Sequence, residues 1–227
     1  MKIVVIVAMD KEFRRVNELL ESSVVGDICG KEIAEGSMGA NTIILAQCGI
    51  GKVNAAIGTV ELIRRYAPDA IVSTGVAGGV PPILTPQEVV AAESVCYHDV
   101  YCGPECHFGQ IMGMPLSFPC DKVFVEKAKS LYCGVKIYSG LIVTGDWFVD
   151  SRKKMSAIRD KFPNAMAVDM ESAAIAQVCH VYSIPFISFR IISDVPLRDE
   201  KAQMYHDFWD NIADKSFNVT KAFLEIL

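Results

Sequence analysis

The feature that most constrains this chain is its alternation of short, unbroken apolar runs with amphipathic stretches. Residues 2–8 read KIVVIVA, in which no polar residue follows Lys2 on either face of a strand. Such a strand must be covered on both sides, as strands are in layered α/β folds. Similar runs recur at Ala70–Thr74 (AIVST), Lys136–Thr144, Ala165–Val168 and Phe186–Ser193. Between them, apolar residues at helical spacing predict helices over residues 10–20, 52–66, 121–131, 151–161 and 170–181, with a long helix over 206–226. Residues 31–39 and 42–48 read as a hairpin around Gly39-Ala40-Asn41, and residues 88–97 as a further strand. The expected fold class is α/β, with a mixed rather than purely parallel sheet. No repeat, low-complexity tract or linker interrupts the pattern, so residues 1–227 read as a single domain.

Composition narrows the function. The chain is 51% hydrophobic, enough for a large core, which excludes disorder. It carries 27 acidic and 22 basic residues, a formal charge of −5, which argues against a nucleic-acid partner. The first apolar run stops at Asp10-Lys11-Glu12, and no segment has the length of a membrane helix. A cytoplasmic protein is expected, with no membrane contact. Eight cysteines are present, several inside apolar runs, as buried free thiols are. Cys102, Cys106 and His107 cluster loosely without a CxxC pair, so no metal site is expected.

In α/β sheets ligands bind beyond the carboxyl ends of the strands. The residues at those ends are Met9 and Glu12; Gly75, Gly78 and Gly79; Gly145 to Phe148; Asp169 to Glu171; and Arg190, Ser193 and Asp194. Glu12 and Glu171 each fall at the first turn of an expected helix, on its apolar face. One such glutamate is explained by the helix dipole. Two, each directly after a strand, point to a site. Asp194 closes an apolar strand and precedes Val195-Pro196, where a turn aspartate is the simpler reading taken alone. Gly49-Ile50-Gly51-Lys52 fails as a phosphate loop, because Ala46 and Val53 occupy the positions that need glycine and Ser/Thr. Gly75-Val76-Ala77-Gly78-Gly79 lacks dinucleotide-binding spacing, and His98 has no evident triad partner.

The segments CGIGKVNAA (48–56), TGVAGG (74–79), YHD (97–99), TGDWFV (144–149), VDMESAAIAQVC (168–179) and RIISDV (190–195) occur in an order that resembles the nucleoside phosphorylase superfamily. AMDKE near the N-terminus and GDWFV favour its 5′-methylthioadenosine/S-adenosylhomocysteine nucleosidase branch. The resemblance spans essentially the whole chain. It implies a three-layer α/β/α sandwich around a mixed, partly barrel-like sheet, a homodimer, no cofactor, and a small-molecule nucleoside substrate whose N-glycosidic bond is hydrolysed to release adenine.

Carried onto matching positions, Asp194 is similar to the general acid at purine N7, with Ser193 orienting it. Glu12 resembles the base that activates water. Glu171 resembles the group that binds the ribose hydroxyls, with Arg190 nearby. Met9 and Met170 would line the sugar pocket, Phe148 would stack on adenine, and the backbone of Val149 would read its polar edge. Tyr205 would lie beside the sugar or its 5′ tail, and Ile50 would reach a partner subunit's tail pocket. Val76 departs from a serine common in such nucleosidases, Asp169 from a glutamate, and Trp147 from a smaller residue. The loop 100–114 matches poorly. A purine nucleoside phosphorylase, a related nucleosidase such as a futalosine hydrolase, and a nucleoside-binding module without turnover are the alternatives.

Overall fold

The computed structural model describes residues 1–28, 30–198 and 217–227. The strands are β1 (Lys2–Val7), β2 (Glu21–Ile28), β3 (Lys31–Met38), β4 (Asn41–Gln47), β5 (Ala70–Gly79), β6 (Val89–Tyr97), β7 (Phe118–Pro119), β8 (Ile137–Thr144), β9 (Ala165–Asp169) and β10 (Phe186–Asp194). The helices are α1 (Asp10–Asn17), α2 (Lys52–Tyr66), α3 (Lys122–Lys129), α4 (Arg152–Lys161), α5 (Ser172–Tyr182) and α6 (Asn218–Glu225).

The sheet is mixed and closes on itself at one end. β5 pairs in parallel with β10, and β10 pairs antiparallel with β6. β6 runs parallel to β8 and β8 to β9, and β9 returns to β5 through Gly78–Val168 and Gly79–Ala167. These five strands form a closed barrel. The sheet then continues from the first half of β5 through β1, β4, β3 and β2. β5 joins the two parts. Ala70–Ser73 lie beside β1, and Gly78-Gly79 lie beside β9.

Burial follows the apolar pattern. Every residue of β1 after Lys2 is buried, because the strand has a neighbour on each edge and cover on both faces. α2 packs against α5 on one side. Asp121 caps α3 through the amides of Val123 and Phe124, and Ser151 caps α4 through that of Lys154. The described tail helix, α6, docks through Phe223, whose ring lies 4.8 Å from Phe189 and 5.8 Å from Phe124.

Four expectations change. β2 reads ESSVVGDI and is almost wholly solvent-facing, so it shows no apolar alternation for a sequence reading to find. α1 ends at Asn17, short of residue 20, as the chain turns into β2. β5 runs on through Gly75 to Gly79 instead of stopping at the glycine. α5 starts at Ser172, so Glu171 is its N-cap and not part of its first turn. Most of the expected 206–226 helix lies outside the described residues, which hold only its end as α6.

Candidate active site

A cleft of about 720 Å³, including its open mouth, lies at the carboxyl ends of β1, β5, β9 and β10. Its walls include Met9, Glu12, Ile50, Val76, Phe148, Val149, Met170, Glu171, Ser193 and Asp194. Eight of the expected site residues therefore converge on one space, joined by Ile50, which was expected to reach a partner subunit's pocket and lines its own chain's cleft. Of the other two, Arg190 lies beneath the floor, and Tyr205 falls outside the described residues.

Glu12 is held by three backbone amides. Its Oε2 accepts hydrogen bonds from the amides of Ala8 and Met9, both at 3.0 Å, and its Oε1 accepts one from Val76 at 2.8 Å. The Met9 bond is the glutamate half of a capping box at the start of α1. The side chain passes so close to β5 that a Cβ at position 75 would sit 2.6 Å from Oε1. The carboxylate as placed therefore leaves no room for a side chain at Gly75. Because Val76 serves through its backbone, the change from serine leaves this contact intact. Burial raises the pKa of Glu12; the three amides and the charge of Arg190 oppose that rise.

Glu171 stands at the N-cap position of α5, makes no capping bond with its side chain, and instead accepts a 2.9 Å hydrogen bond from the amide of Gly51, the residue before α2. Burial, then the nearby charge of Asp169, pushes its pKa up to about 8. Ser193 places its hydroxyl 2.7 Å from Asp194 Oδ1 and 3.3 Å from the carbonyl oxygen of Ala77. Phe148 and Ile50 are more than half exposed at the rim.

Arg190 is buried, and its Nε donates to Asp169 Oδ2 at 2.6 Å. Its other nitrogens reach Ser73 Oγ at 3.0 Å and the Phe189 carbonyl at 3.2 Å. It faces Glu12 and Glu171 across a small void under the cleft. Burial disfavours its charge, but Asp169, Glu171 and Glu12 outweigh that and raise its pKa. Asp169 also accepts from Ser172, and from the Thr144 hydroxyl at 2.5 Å. Asp169, not among the expected site residues, is thus the group that holds Arg190. The signal was present, since it is a carboxylate set between Val168 and Met170 at the end of a buried strand.

The balance of charge defines what the site can hold. Glu12, Asp169 and Glu171 are three buried carboxylates around one guanidinium. Such a cluster favours a ligand that carries or develops positive charge, and it resists an added anion. No group of His, Cys, Asp and Glu among the described residues is arranged to hold a metal ion.

The phosphorylase superfamily model matches residues 2–225. The chain belongs to the phosphorylase superfamily. Within the superfamily it is 38% identical, over the full length of both chains, to a 5′-methylthioadenosine/S-adenosylhomocysteine nucleosidase of Bacillus anthracis. Its structure superposes with a TM-score of 0.93 on the nucleosidase of that name from Neisseria meningitidis in complex with methylthio-immucillin-A. That pair is 33% identical and covers 100% of this chain and 99% of the other. The Streptococcus pneumoniae counterpart with a transition-state inhibitor gives a TM-score of 0.92 at 34% identity, over 99% of each chain. The superfamily fold thus accounts for the closed barrel, the attached sheet and the helices around them. Among the described residues no helix is long and apolar enough to cross a membrane.

Proposed function

We propose that the chain hydrolyses the N-glycosidic bond of 5′-methylthioadenosine and S-adenosylhomocysteine to release adenine. The observation that carries this reading is the placement of Glu12, Glu171 and Asp194 around one cleft, with Glu12 fixed by three amides. The names of the relatives supply the substrate class.

Asp194, steadied by Ser193, donates a proton to N7 of adenine. The C1′–N9 bond breaks and its electron pair leaves with the base. Positioned acid–base groups contribute roughly 10²- to 10⁴-fold. Glu171 lies against the ribose hydroxyls; the developing positive charge of the sugar favours its ionised form, and that anion stabilises the cationic sugar. That charge exists only in the transition state, so the interaction raises the rate constant itself. Water attacks C1′ from the opposite face and passes its proton to Glu12. Arg190 acts from below, holding Asp169 and moderating the charge on Glu12 and Glu171. Phe148 stacks on the base, Val149 reads its edge through the backbone, and Met9 and Met170 line the sugar pocket.

Hydrolysis is favoured over phosphorolysis by the same charges. A phosphate would need arginines and free donors, yet Arg190 is already bound to Asp169. A carboxylate about 4 Å from phosphate costs ~1–4 kcal/mol per pair of charges. We also propose a homodimer. Val53 and Ile57 on α2 and Val181 and Tyr182 on α5 leave an apolar face uncovered beside Ile50.

The test is a panel of 5′-methylthioadenosine, S-adenosylhomocysteine, adenosine, inosine and futalosine, with release of the free base as readout. The proposal expects adenine from the first two at the highest kcat/KM, and loss of most turnover in Asp194→Asn. Preferential cleavage of futalosine or inosine would reassign the substrate.

A further inference from the structure

One polar cluster lies outside the cleft and joins two of its walls. The Lys52 ammonium is 2.8 and 2.7 Å from the two oxygens of Asp99, and 3.7 Å from Asp146 Oδ2. The Lys52 amide donates to Asp146 Oδ1 at 2.8 Å. The Asp146 amide donates to Asp99 Oδ2 at 2.9 Å. Three loops, at the start of α2 and the ends of β6 and β8, are thereby closed into a ring of bonds.

Each end of the ring leads into the site. Gly51, directly before Lys52, gives the amide that holds Glu171. Asp146 is directly followed by Trp147, Phe148 and Val149, which wall the cleft. Beneath them His98 is buried with its ring 5.3 Å from that of Trp147. A Cβ at Gly145 would collide with the His98 imidazole and approach the Asp99 carboxyl, so the chain there lies flat on both.

We propose that Lys52, Asp99 and Asp146 are positioning residues that lock the segment Trp147–Val149 at a fixed distance from Glu171. The cluster then sets the gap between the surface that takes the base and the carboxylate that takes the sugar. A ring of charges holds that gap better than loop packing would, since Lys52 bonds both oxygens of a carboxylate that is 9% exposed. The ligand it serves is the purine nucleoside of the proposed function, on which this inference rests.

The experiment is a double-mutant cycle of Lys52→Met with Phe148→Ala, with Lys52→Arg as the conservative control. In the wild-type background Lys52→Met should raise KM about tenfold, equivalent to ~1.4 kcal/mol, while kcat changes less. Lys52→Arg should recover part of that loss. With Phe148 already truncated, the same change should raise KM by less than about twofold, because coupled residues are not additive. An equal KM penalty in both backgrounds would overturn the proposal, since a merely structural role adds independently.

A second readout needs no activity. With Trp209 changed to Phe, quenching by the neutral probe acrylamide reports Trp147 alone. Lys52→Met should increase quenching by about twofold as the segment loosens; unchanged quenching would overturn the proposal. Increased quenching in a protein whose wild type releases no adenine would leave the lock standing and sink the proposed function instead.

Discussion

Replacing Glu171 with glutamine should make the empty protein more stable and less active at once. In the unfolded chain a glutamate titrates near 4.5, and in the fold Glu171 is pushed up to about 8 by burial and by Asp169. Between those values the folded protein keeps a proton that the unfolded chain releases. Stability from this group is therefore fully present below pH 4.5 and is lost as pH rises toward about 8. Each tenfold step of that displacement is worth ~1.4 kcal/mol, so the cost is about 3 kcal/mol near pH 7 and about 4–5 kcal/mol near pH 9. Glutamine cannot ionise, yet it still offers an oxygen to the Gly51 amide. The assay is urea unfolding of both proteins from about pH 5 to about pH 9. The variant should gain little at the acid end and gain progressively more toward the alkaline end. A variant less stable than wild type near pH 8, or a difference that does not change with pH, would refute the reasoning. Turnover by the folded variant should fall, because the carboxylate that destabilises the empty site is the one that meets the cationic sugar.

Gly75→Ala should displace the Glu12 carboxylate, since the new Cβ would lie 2.6 Å from Oε1. Turnover should fall by at least about tenfold with the circular dichroism spectrum retained; full activity would remove the requirement for glycine. Asp169→Asn should leave the Arg190 charge poorly paired in the interior, at about 3–5 kcal/mol, read as a lower urea midpoint.

The layered α/β class was legible because β1 and the first residues of β5 and β10 are nearly unbroken apolar runs, a pattern that a covered sheet explains. The closed barrel was not derivable from those runs. It depends on two short pairings, Gly78–Val168 and Gly79–Ala167, made by residues with no side-chain pattern to read. β2 was invisible because an edge strand facing solvent carries no alternation. At the site, Glu12 stood out as a carboxylate on an apolar helix face, and Glu171 through the same expectation, although it proves to be the residue before its helix. Asp194 needed the resemblance, since one aspartate before Val-Pro reads equally well as a turn. The amides of Ala8, Val76 and Gly51 that fix the glutamates left no mark, because a backbone donor has no residue identity. Lys52, Asp99 and Asp146 meet only after three distant loops fold together.

The preference for water over phosphate rests on the carboxylates buried at the site. It is tested most directly by incubating the protein with 5′-methylthioadenosine in buffer free of phosphate, and again with phosphate added. Adenine should be released at the same rate in both, with free methylthioribose as the other product. Adenine that appears only with phosphate, together with a methylthioribose 1-phosphate, would contradict the account.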